Sequence, residues 1–81
     1  MSFAEQRGLL AAQLGQLEEA LRRAQSVSRD LGERAEAAAG DTESFADDTT
    51  LAQVSALAKR SRQEVGALLR AVTATRAALG E

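Results

Sequence analysis

Eighty-one residues make room for one small domain, and half of the 36 hydrophobic residues are Ala, so deep burial rests on 11 Leu, 4 Val, 2 Phe and one Met. The chain has no Cys and no His, which removes disulfides, the commonest transition-metal ligands and the usual nucleophile and base chemistry. Its net charge of −2 is unevenly placed: residues 1–40 carry −1, residues 41–50 carry −4 and residues 51–81 carry +3, so the basic character lies in the last third alone.

Ser2 followed by Glu5 is a capping-box spacing and predicts a helix beginning there. Leu10, Leu14, Leu17, Leu21, Ala24, Ser28, Leu31, Ala35 and Ala38 then recur at alternating steps of four and three, which predicts a helix over about 3–38 with one narrow seam. Glu18/Arg22, Glu19/Arg23 and Asp30/Arg34 are acid-before-base pairs at i, i+4 that support the exposed face. Gly8, Gly15 and Gly32 interrupt it, each costing about 1 kcal/mol relative to Ala. They either permit close approach of another backbone or are simply tolerated.

Gly40 is placed like a left-handed residue ending the helix. The acidic stretch Asp41 to Thr50 follows, where Thr42-Glu43-Ser44-Phe45 has the composition for an extra turn with Phe45 over the open end. Its four acids do not make a calcium loop: Phe45 holds the fifth position and Ala46 replaces the glycine that the turn needs at the sixth. Thr50 and Gln53 repeat the capping-box spacing, and Leu51, Val54, Ala58, Ser61, Val65, Leu68, Val72, Thr75 and Leu79 carry a second seam, predicting a helix over about 51–79.

Reversed, the two seams match when residue i faces 89 − i: Leu10 meets Leu79, Leu17 meets Val72, Leu21 meets Leu68, Leu31 meets Ala58, and Ala38 meets Leu51. Ser28 and Ser61 also meet, a small polar layer of the kind that fixes register. The same pairing sets Glu19 against Arg70 and Asp30 against Lys59. The fold is therefore expected to be all-α, a single antiparallel two-helix hairpin over residues 1–81, assembling into a four-helix bundle or forming the N-terminal module of a longer protein. Leu9, Val27, Leu57 and Leu69 fall beside the seams and are expected to form the surface for a partner.

Lys59-Arg60-Ser61-Arg62 is the one basic cluster. It is read as a charge-paired helical face, because no aromatic side chain stands near it to stack on a base. No catalytic, cofactor or metal residues are expected, and Ser28 and Ser61 have no base beside them. No apolar run reaches the ~20 residues of a membrane span, and the N-terminus has no signal-peptide pattern, so the cytoplasm is expected, with leaderless export left open.

A short leaderless hairpin with a shared apolar face and a turn near Gly40 resembles the small Trp-x-Gly helical-hairpin proteins exported by bacterial type VII secretion systems. The resemblance covers the chain at the level of architecture. The turn Gly40-Asp41-Thr42-Glu43-Ser44-Phe45 has neither Trp nor the triplet, and no Tyr-x-x-x-Asp/Glu signal follows. It implies a secretion substrate or adaptor and lends no functional residue. The reading from the residues themselves is a non-enzymatic interaction module that self-associates or docks on a helical protein. The alternative is a binder of polyanions or membrane surfaces through the basic face of the second helix.

Overall fold

The computed structural model describes residues 2–40 and 48–80, which form two helices and, among the described residues, no strand. Helix α1 spans Phe3–Gly40 and helix α2 spans Asp48–Gly80. They pack along their length as a helical hairpin measuring 62 × 16 × 15 Å. That length follows from α1 itself, since its 38 residues at a 1.5 Å rise reach about 57 Å.

Ser2 caps α1 as its spacing predicts. Its hydroxyl accepts the Glu5 amide at 3.2 Å and its carbonyl accepts the Gln6 amide at 3.1 Å. The other ends depart from expectation. Gly40 is the last residue of α1 and has no positive φ, so the helix does not stop there through a left-handed residue. Helix α2 begins three residues before Leu51, which puts Thr50 inside the first turn rather than at the cap. The proposed turn at Thr42 to Phe45 lies outside the described residues.

The seam is displaced around both helices. Its most buried residues are Ala58 at 1 % exposure, Ala35 at 4 %, Val72 at 7 % and Ser28 at 8 %. On α1 it follows the heptad column Arg7, Leu14, Leu21, Ser28, Ala35, and on α2 the column Leu51, Ala58, Val65, Val72, Leu79. Each is flanked by residues turned inward, Ala11, Glu18, Gly32, Ser55 and Leu69 at the +4 offset and the expected seam residues Ala24, Ala38, Val54 and Ser61 at +3, so the departure lies in the leucines. Leu10, Leu17, Leu31 and Leu68, all expected in the seam, are 53 %, 47 %, 36 % and 55 % exposed, and Thr75 is exposed too. Leu69, expected on the partner surface, is half-buried in the seam.

Side-chain size explains the shift. Large leucines from two facing helices hold the backbones apart, whereas Gly32, Ala35, Ser55 and Ala58 let them close up and keep their dispersion contacts. A Cβ placed on Gly32 would stand 3.7 Å from that of Ala58. The helices thus meet at Gly32 and Ala58, one residue from the expected pairing of Leu31 with Ala58.

Candidate functional site

With the two central columns facing each other, the flanks of the hairpin become two broad sides. The residues at +4 share one of them: Glu18 of α1 pairs with Arg76 of α2, and a groove beside them is lined by Gly32, Glu36, Ser55, Ala58, Lys59 and Arg62. The residues at +3, among them Leu10, Leu17 and Leu31 on α1 and Leu68 on α2, must then share the opposite side.

The first side is polar and closed. Glu18 has a side chain only 14 % exposed, held between Arg22 at 2.8 Å and the guanidinium of Arg76. Hydrogen bonds from Arg22 and then Arg76 lower its pKa below the ordinary carboxylate value. Gly15 makes room for this arrangement, since a Cβ there would sit 3.7 Å from the Arg76 guanidinium. Farther along, the groove encloses about 180 Å³, and Ala58 is its most deeply buried lining residue. Its lining carries Lys59 and Arg62 together with Glu36, so an anion drawn by the two cations meets a carboxylate beside them.

The second side is apolar and open. Of the eight large hydrophobic residues left exposed among the described residues, Phe3, Leu10, Leu17, Val27, Leu31, Leu57 and Leu68 belong to it by their heptad positions. Only Leu9 lies on the outer edge of α1. The charged residues beside this side are Arg34 and Glu64, and Glu64 is already held by Arg60 at 2.8 Å, an ion pair that raises the Arg60 pKa.

The expected site residues sort accordingly. Leu9, Val27 and Leu57 are exposed at 53 %, 66 % and 58 %. Leu14, Leu21, Leu51, Val54, Val65, Val72 and Leu79 are half-buried or buried on the inner faces, and so are the two serines, Ser28 more deeply than Ser61. The expected cross-helix pairs Glu19–Arg70 and Asp30–Lys59 are not among the ion pairs of the described residues, nor are Glu19–Arg23 and Asp30–Arg34. Glu18–Arg22 is formed.

Sequence reasoning missed Glu18–Arg76, Arg60–Glu64, and the bond from Arg7 Nε to the Leu79 carbonyl at 2.5 Å, which occupies a carbonyl in the last turn of α2. Arg7 lies one heptad before Leu14 and Glu18 four residues after it. A pattern counted from apolar residues skips charged side chains that occupy seam positions through their aliphatic stems. Among the described residues no group of three or more acidic side chains is placed to hold a metal ion, and no helix is long and apolar enough to cross a membrane.

Comparisons of the chain with family models, with curated proteins and with solved structures find no match.

Proposed function

We propose that this chain is a non-enzymatic interaction module, a helical hairpin whose work is to hold proteins together by packing helix on helix. The observation that carries this reading is the open apolar side. The hairpin exposes 6143 Å². A compact monomer of 8.5 kDa is expected to expose roughly 4,650 Å², so this rod leaves about 1,500 Å² in excess. The excess comes from the elongated shape, and on one side of it the exposed surface is largely that of Phe3, Val27 and five leucines, a contiguous apolar patch of the kind that is normally covered.

The basic residues do not favour a polyanion or membrane-surface role as strongly. Lys59, Arg62 and Arg76 lie on the polar side, and beside the open apolar side Arg34 is accompanied by Glu64, whereas an interfacial helix needs an excess of bases flanking the apolar face that enters the lipid.

Thermal unfolding followed by far-ultraviolet circular dichroism tests the reading. The hairpin is expected to be incompletely helical when dilute and alone, because two helices enclose so little, and to gain helix and melting temperature when its face is covered. A chain that is fully helical when dilute and unfolds cooperatively at the same temperature over roughly a hundredfold range of concentration would contradict it.

A further inference from the structure

We infer that the occupant of the apolar side is a second copy of this chain, giving a dimer of hairpins. This rests on the interaction-module reading and specifies its partner.

Area is the first argument. From Phe3 to Leu31 the apolar side runs about 42 Å, and the hairpin is 16 Å across, giving roughly 700 Å² in projection before side-chain relief is added. A stable dimer needs about 800 Å² from each partner. The face therefore has the size of one half of a standard interface, and covering it recovers about half of the surface excess.

Self-complementarity is the second. Four of the face's five leucines lie at two levels of the rod, with both helices contributing to each, and Leu10 stands one heptad beyond Leu17. With Gly32 opposite Ala58, Leu57 stands level with residue 33, about 3 Å along the axis from Leu31, and Leu68 stands level with residue 22, about 7.5 Å from Leu17. Turning a second copy by half a revolution about the long axis lays its α2 over α1 and its α1 over α2, antiparallel in both cases. Leu31 then meets Leu57 of the second copy, Leu17 lies beside Leu68 of the second copy, and the reciprocal contacts follow by symmetry. Every new neighbouring pair in the resulting four helices is antiparallel, so their dipoles are opposed.

Charge is the third. The centre of the face carries none, and its rim has Arg34 and an ion-paired Glu64, so two copies meet without like-charge repulsion at the core.

The test is the mass of the full chain by sedimentation or light scattering, with variants on each side. The wild type is expected at about 17 kDa, twice the 8.5 kDa chain. Leu17→Glu with Leu68→Glu is expected to lower dimer affinity at least about a hundredfold. Lys59→Glu with Arg62→Glu, on the polar side, is expected to leave the dimer intact. Should the leucine variant unfold, cross-linking decides: a Leu31→Cys chain mixed with a Leu57→Cys chain is expected to yield, with a short bismaleimide, a product containing one of each. A wild-type mass of 8.5 kDa at every concentration, dimers broken only by the charge variant, or failure of the mixed cross-link overturns the inference. In the first case a partly helical, concentration-independent chain leaves the interaction-module reading standing with a different partner, whereas a fully helical one removes both.

Discussion

The two broad sides of the hairpin are built from the same pair of helices, yet one is finished and the other is not. On the polar side Gly32, Ser55 and Ala58 bring the helices together, and Glu18 bridges α1 to Arg76 of α2 with room left for the guanidinium by Gly15. On the opposite side Leu10, Leu17, Leu31 and Leu68 remain about one-third to one-half exposed. Two helices can close only one of their flanks when the residues that let them approach are small and lie on that flank. The larger side chains are then tilted outward as a ready surface. On the proposed reading, stability and availability for a partner are divided between two sides of one rod.

The largest effect on this comparison should come from overfilling the closed side. Ala58→Leu puts three extra carbons where only 1 % of the residue is exposed and the space toward Gly32 would admit no more than a Cβ at contact distance, so a loss of about 1–3 kcal/mol is expected in denaturant unfolding. An unchanged midpoint would show that the helices do not meet closely there. Gly32→Ala probes the same contact more gently. Its added Cβ would sit at an ordinary 3.7 Å from Ala58, so the gain in helix propensity of about 1 kcal/mol should survive and raise the midpoint. Gly8→Ala, with nothing within 4 Å, should gain about as much without touching the seam, and serves as the reference for propensity alone.

A smaller effect concerns the ion bridge. The Glu18 pKa is lowered in the folded chain by its bonds to Arg22 and Arg76. Its contribution is therefore present above the pKa of the unfolded carboxylate and is lost as pH falls through the lower folded value. Glu18→Gln should reduce the melting temperature slightly at neutral pH, and the difference from wild type should shrink on acidification. A difference that is constant with pH would assign the loss to packing instead.

Much of this architecture was legible from alternating steps of four and three residues. The two helices, their antiparallel return and a register within one residue of the Gly32–Ala58 contact all follow from that pattern. The rotation of the helices about their own axes did not follow, because apolar periodicity weights leucine above glycine and alanine. It selected Leu31 where the helices use Gly32, and between the adjacent Leu68 and Leu69, which it weights equally, it followed the four-and-three steps to Leu68 where the helices use Leu69. The same weighting hid Arg7 and Glu18, whose chemistry at the seam depends on what lies across from them. Leu9, Val27 and Leu57 were recognisable as surplus, but the open side as a whole appeared only once Leu10, Leu17, Leu31 and Leu68 were seen to belong with Val27 and Leu57.

Leucine methyl relaxation in the presence of a soluble paramagnetic agent measures the contrast between covered and uncovered side chains directly. In the assembled protein the methyls of Leu10, Leu17, Leu31, Leu57 and Leu68 should be shielded, while Leu9, 53 % exposed on the outer edge of α1, should remain strongly relaxed. If those five leucines are relaxed as strongly as Leu9 at every protein concentration, the apolar side is not covered by a second copy and the central claim is wrong.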